Sequence, residues 1–257
     1  MTTGPGHFTP EWPAPAGVRA LCTTRNGGVS AAPFDSFNLG DHVRDEPAAV
    51  AANRAALAGL TAPARPVFLQ QVHGTAWIPL DATTPDGAVA DAALVTAPGV
   101  AATIMVADCL PVLFAHASGR AVAAAHAGWR GLVSGVLEAT LQALRAAAGP
   151  GEVIAWLGPA IGPTAFEVGD EVHAAFVAAD PAARAHFRTH TTPGKWWADL
   201  PALARQRLRS AGVASVHGND GGAAWCTVSQ PSRFFSHRRD ATRLGSTGRF
   251  AACIWRD

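Results

Sequence analysis

Apolar positions fall along this chain in two kinds of run. Short continuous runs suit strands covered on both faces, whereas apolar residues three and four apart suit helices. The first kind predicts strands at residues 17–24, 66–72, 101–107, 110–115, 120–125 and 152–157. The second kind predicts helices over 45–60, 132–148, 170–179 and 200–211. In 45–60, Asp45 is placed to cap and Pro47 to occupy the first turn, ahead of Val50, Leu57 and Leu60. In 132–148, Val133, Val136, Leu137, Leu141 and Leu144 form one stripe, and Gly149-Pro150 stops it. Asp199 caps 200–211, with Pro201 in its first turn. Asn26-Gly27-Gly28 reads as a turn, and Gly158-Pro159 with Gly162-Pro163 brackets a rigid loop. From Trp225 onward the pattern predicts strand and loop. No repeat, low-complexity linker or break in composition divides the chain. The expectation is a single α+β domain over 1–257, irregular over 1–16.

Composition narrows the partners. The 257 residues carry 20 Lys+Arg against 19 Asp+Glu, so no overall positive charge recruits nucleic acid or a membrane surface. Lys195 is the only lysine, which leaves arginine, the side chain suited to bidentate recognition of phosphate or carboxylate, as the main cation. No stretch of 18 apolar residues predicts a membrane span, and no apolar leader is visible. Cys22, Cys109, Cys226 and Cys253 are scattered without a C-x-x-C pair, which predicts reduced thiols and a cytoplasmic protein.

Three stretches place a metal-binding side chain at the end of an apolar run. They are Gln71-Val72-His73-Gly74, Ala107-Asp108-Cys109-Leu110-Pro111 and Ala125-His126-Ala127-Gly128. Strand ends converge on one side of a sheet, so ligands distant in sequence can share a site. Imidazole and thiolate are ligands that zinc prefers, and three of them leave a fourth position for water or substrate. The same atoms allow a different chemistry, in which Cys109 is a thiolate nucleophile with His73 or His126 as its base. Spacing does not separate the two.

The blocks QVHG, ADCLPVLF and AHAGWRGL, in that order, resemble the signatures of the YfiH-like family, whose members have been described as laccase-domain polyphenol oxidases and as purine nucleoside phosphorylases. TTRNGGVS, FNLGDHV, GPAIGPTAFEVGDEV, FFSHRRD and TGR extend the resemblance over essentially the whole chain. It implies a single α+β domain of mixed sheets flanked by helices, related to a toxin cysteine-deamidase fold. It also implies a metal site of His73, Cys109 and His126, holding zinc, with copper as second choice. The implied activity is phosphorolysis of purine nucleosides (adenosine, inosine, guanosine and methylthioadenosine), with adenosine deamination beside it. Implied partners are a nucleoside and phosphate, acted on by a monomer. The alternatives are a laccase-type polyphenol oxidase and a Cys-dependent hydrolase acting on peptidoglycan precursors.

Phosphorolysis needs cations for the phosphate. Arg25 lies beside a Gly-Gly turn and ranks first. Asn38 of the FNLGDHV block and Arg130, at a predicted helix start, complete the candidate set. Arg238 and Arg249 come from the last two blocks, which residues 241–246 separate further than in the family pattern. Asp108 reads as a turn residue and Trp129 as a neighbour of the site. His186 and His190 stand i, i+4, but Thr191-Thr192-Pro193-Gly194 ends any helix, and His116 reads as closing a surface turn. No H-x-E with P-C-x-x-C zinc-deaminase signature is present, nor any repeated H-x-H pair of a copper cluster.

Overall fold

The computed structural model describes residues 6–257. Its first sheet runs in the order His7–Phe8 (β1), Val18–Thr23 (β2), Phe250–Arg256 (β14), Val100–Val106 (β6) and Arg65–Phe68 (β3). The second runs Ser215–Gly218 (β13), Val153–Leu157 (β9), Leu110–His116 (β7), Val122–Ala127 (β8), Ala92–Val95 (β5) and Trp77–Leu80 (β4). A small third sheet pairs Glu167–Gly169 (β10), Lys195–Ala198 (β12) and Phe187–Thr189 (β11). Pairs β3–β6, β4–β5 and β9–β13 are parallel and the rest antiparallel, so the two large sheets are mixed.

Strands β6, β7 and β8 are buried at every residue, as their continuous apolar runs require. The period of two divides each strand between two cores. From β6, Ala102, Ile104 and Val106 meet Leu113 and Ala115 of β7 between the two large sheets. Ala101 and Met105 turn the other way, onto Leu57 of helix Pro47–Thr61 (α1). From β7, Val112 and Phe114 pack against Leu137, Leu141 and Leu144 of helix Val136–Ala148 (α3) and Leu203 and Leu208 of helix Leu200–Ser210 (α5). The layers are therefore helix, sheet, sheet, helix.

Several expectations are corrected. Residues 132–148 are not one helix: Trp129–Ser134 (α2) ends at Gly135, whose φ of 99° takes the left-handed conformation, and α3 starts after it. Glycine adopts that conformation without the clash a Cβ would bring. The strand read over 66–72 stops at Phe68, and an irregular segment leads from there to His73. Asp45 makes no helix-capping bond; α1 begins behind Glu46, while Asp45 accepts hydrogen bonds from Ser30 and Asn38. The tail from Trp225 includes helix His237–Leu244 (α6), missed because it is almost wholly polar with only Asp240 buried. Residues 241–246, read as a lengthened loop, mostly belong to that helix and its Gly245 cap, and none of them lines the cleft at the metal-ligand candidates. Asp170–Ala179 (α4) and the Asp199 cap of α5 fall where expected. In the segment expected to be irregular, β1 pairs with β2, and residues 1–5 lie outside the described residues.

Candidate metal centre

All three ligand candidates stand where a strand or its approach ends. His73 is reached from β3 through residues 69–72 and has a positive φ of 63°, a costly conformation for a residue with a Cβ. It is held by Asp91, whose carboxylate accepts hydrogen bonds from the backbone N–H groups of Val72 (3.2 Å), His73 (2.9 Å) and Gly74 (2.7 Å). Cys109 sits in the turn between β6 and β7. There Asp108, also at positive φ, accepts hydrogen bonds from the Thr227 hydroxyl (2.5 Å) and the Arg238 backbone N–H (2.6 Å). His126 lies in β8 opposite Pro111, and its Nδ1 donates to Asp91 Oδ1 at 2.8 Å.

These supports bring the ligand atoms of His73, Cys109 and His126 within 4.8 Å of one another. Cys109 Sγ is 3.6 Å from His73 Nε2, and the two imidazoles meet edge to face at 4.7 Å between ring centres. With His126 Nδ1 engaged by a carboxylate, Nε2 is the atom left to bind a metal. Gly128 closes one side: a Cβ there would stand 2.6 Å from His73 Cδ2 and 3.1 Å from Cys109 Sγ. The donor set of two nitrogens and one sulfur fits zinc, and a carboxylate behind one histidine is the usual outer support. Exposure falls from His73 through Cys109 to buried His126, so the triad has an open side.

Charge follows this geometry. Burial pushes the Cys109 thiol up, but the charged His126 and hydrogen bonds from His126 and His73 outweigh it and bring it down to about 6. Burial pulls the His126 imidazole down, while Cys109 and Asp91 raise it to about 9. Burial raises Asp91, but its bonds from His126, Gly74 and His73 prevail and leave it below the usual carboxylate value. Without a metal the centre is a thiolate beside an imidazolium.

The triad opens into a cleft of about 820 Å³, a volume typical of small-molecule sites. Phe68, Trp129 and Phe166 line it with Arg54, Arg130, Arg238 and Arg249, and Arg54 lies over the Phe68 ring at 4.1 Å and Arg238 over Phe166 at 5.8 Å. Arg130 is exposed and lies over Trp129 at 4.5 Å. Arg25 and Asn38 do not line this cleft. The Arg25 guanidinium is spent on Asp35 (carbonyl 2.8 Å, carboxylate 3.2 Å), the Pro231 carbonyl and the face of Phe235. Asn38 is buried and bonded to Gly40, Asp45 and the Arg249 backbone. The order in which Arg25 precedes Arg130 is therefore reversed.

His186 ends a 3-10 turn and His190 follows β11, so the pair shares no helix face. His116 is buried and bonds Ser118 within a turn at 2.7 Å. Asp91 is a site residue that the sequence does not single out. Its one signal is a lone acid heading the wholly buried run Ala92–Val95, where an uncompensated charge is costly.

A family model described as multi-copper polyphenol oxidoreductase laccase matches residues 19–257. A Pseudomonas aeruginosa protein named purine nucleoside phosphorylase is 55% identical over 250 residues, covering 96% of this chain and 97% of its own. The Escherichia coli purine nucleoside phosphorylase YfiH is 49% identical over 249 residues, covering 96% and 98%. The crystal structure of a Neisseria meningitidis protein superposes with a TM-score of 0.88 at 46% identity, covering 98% of this chain and all of that one. YlmD of Geobacillus stearothermophilus gives 0.84 at 32% identity, covering 100% and 98%. Matched in sequence and fold along nearly its full length, the chain belongs to the YfiH-like family, that of the laccase-domain model.

Proposed function

We propose that this chain is a zinc-dependent purine nucleoside phosphorylase, with His73, Cys109 and His126 as the zinc ligands. The observation that carries the reading is an open N, S, N triad facing a nucleoside-sized cleft that offers both aromatic faces and guanidinium groups. Relatives at 55% and 49% identity bear the name of that activity. Zinc is preferred to copper because one group of three His/Cys ligands forms among the described residues, whereas a multicopper cluster needs several.

Phosphorolysis breaks the bond between a ribose C1′ and a purine nitrogen while phosphate attacks C1′. Flat apolar rings suit the base, and of Phe68, Trp129 and Phe166, which line the cleft, Trp129 is the one not buried. Guanidinium groups suit the phosphate. When bound, zinc supplies a Lewis acid for oxygen groups and lowers the pKa of its water. Asp91 holds the His126 ring and the His73 backbone fixed throughout. Methylthioadenosine phosphorolysis and adenosine deamination are side activities of the same cleft in this proposal. For deamination no free carboxylate stands beside the triad among the described residues, since Asp91 and Asp108 are both engaged.

The test is inosine turnover by zinc-loaded protein with and without phosphate. Hypoxanthine and ribose 1-phosphate released only with phosphate is the expected result. Phosphate-independent release overturns the reading, and oxygen uptake with a phenol in its place favours the oxidase. The thiolate–imidazolium couple supports a second reading, a cysteine hydrolase of amides or peptidoglycan precursors. That reading requires full activity in metal-free protein and its loss on alkylation of Cys109.

A further inference from the structure

The cleft holds one cation whose surroundings call for an anion. Phe250 pairs with Val106, so Arg249, one residue before β14, stands at the strand ends beside the Asp108-Cys109 turn. Segment 38–40 is built around it. Asn38 Oδ1 accepts a hydrogen bond from the Arg249 backbone N–H at 2.8 Å, and the Leu39 N–H donates to the Arg249 carbonyl at 3.0 Å. At Gly40 a Cβ would come within 2.8 Å of Arg249 Cγ, so only glycine leaves the slot open.

The guanidinium itself is poorly served. Its Nη1 reaches the carbonyls of Thr247 (3.0 Å) and Gly248 (3.1 Å), and among the described residues no carboxylate comes within ion-pair distance. Asp41, the nearest acid in that segment, is paired with Arg54 at 3.1 Å. Asp108 is engaged by Thr227 and the Arg238 N–H. The other cleft cations are better placed without a ligand. Arg54 has Asp41 and the Leu39 carbonyl, whereas Arg130 and Arg238 are exposed to water. A partly buried guanidinium in a cleft that has no direct ion pair, and meets only the more distant charges of Asp108 and Cys109, has its remaining N–H groups free for an anion.

Resting on the phosphorolysis reading, we propose that Arg249 is the phosphate subsite, with His42 on its outer side. His42 lines the same cleft with its Nδ1 3.6 Å from Asp41 Oδ1, so its other ring nitrogen is the one available to a phosphate oxygen. In the step served, a phosphate oxygen bonds C1′ as the C1′–N9 bond breaks. The electron pair leaves on the purine, which takes up the proton of hydrogen phosphate, and ribose 1-phosphate remains against Arg249. Of the four guanidiniums in the cleft, Arg249 then takes the phosphate, Arg54 stays paired with Asp41, and Arg130 and Arg238 are left to the rim.

The experiment compares zinc-loaded wild type with Arg249→Lys, Arg249→Gln and Arg130→Gln at saturating inosine and varied phosphate. The KM for phosphate is expected to rise at least tenfold in Arg249→Lys and further in Arg249→Gln. The KM for inosine should stay within threefold and zinc content should not change. An unchanged phosphate KM in Arg249→Gln, or a larger rise in Arg130→Gln, overturns the assignment. Wild-type crystals soaked in arsenate cover variants that fail to fold: an anomalous arsenic peak at Arg249 supports the subsite, and peaks confined to Arg130 or Arg238 overturn it. If wild type shows no phosphate-dependent turnover, the phosphorolysis reading fails. Calorimetry with inorganic phosphate then decides the anion site separately, binding to wild type but not to Arg249→Gln upholding it and binding to neither or to both rejecting it.

Discussion

Asp91 binds two ligand-bearing segments with one carboxylate, and replacing it separates their effects. Oδ1 accepts from His73 N–H and His126 Nδ1, and Oδ2 from Val72 and Gly74 N–H. In Asp91→Asn one oxygen becomes an NH2 that faces donors. Zinc affinity is expected to fall about 10–100-fold, as when the outer support of a ligand is removed. A competing chromophoric chelator measures this, and wild-type affinity in Asp91→Asn would refute the bridging role. Cys109 gives a second expectation. In metal-free protein its thiolate fraction, and so its alkylation rate, should rise as pH passes about 6, well below the ordinary thiol value of 9.0. His126→Ala removes the cation that lowers this value, so the inflexion should move up; an unmoved inflexion would show that His126 does not set it. By linkage, the Cys109 contribution to metal-free stability is lost as pH falls through about 6, and that of His126 as pH rises through about 9. His73, Cys109 and His126 stood out as candidates because each ends an apolar run, and the family resemblance is what joined them in one metal site. Asp91 did not, since its role lies in contacts with residues far along the chain, and Arg249 entered only through the family's last block.

Elements bring these residues together by ending at one place. Strands β6 and β7 meet at the Asp108-Cys109 turn, β8 delivers His126, and α2 starts at Gly128 immediately after it. The backbone at Gly128 must pass close to the triad, and its φ of −65° is open to any residue, so only the missing Cβ explains glycine there. In Gly128→Ala the new methyl displaces His73 or Cys109. Zinc content of the purified protein should drop at least severalfold while far-ultraviolet circular dichroism stays native. Stoichiometric zinc in that variant would show that the contact yields freely. The buried strands were readable because both faces are covered and the apolar run is continuous. The strands missed are short or marginal: β4 carries Pro79 at the sheet edge, where a residue without an N–H breaks no ladder, and its burial is patchy. The break at Gly135 was hidden because the apolar stripe continues across it. The turn needs only one glycine, and stripe periodicity does not register that.

At the scale of the molecule, the layered core makes the centre possible without the metal and lets the metal stabilise it in turn. Ligands at positions 73, 109 and 126 come from three segments that the unfolded chain does not hold together, whereas the packed sheets do. A cation that binds the folded triad and not the open chain therefore adds to folding stability. At a zinc concentration about 100-fold above the dissociation constant the gain is about 2.7 kcal/mol. In a domain of this size, that raises the melting temperature by about 5–10 °C. Calorimetry of zinc-loaded and chelator-treated protein measures the shift. Because the sheet packing stands apart from the ligands, chelator-treated protein should still melt cooperatively, and Cys109→Ala, with one donor missing, should lose most of the shift. Equal shifts in wild type and Cys109→Ala would place the stabilising cation elsewhere and detach this triad from metal binding altogether.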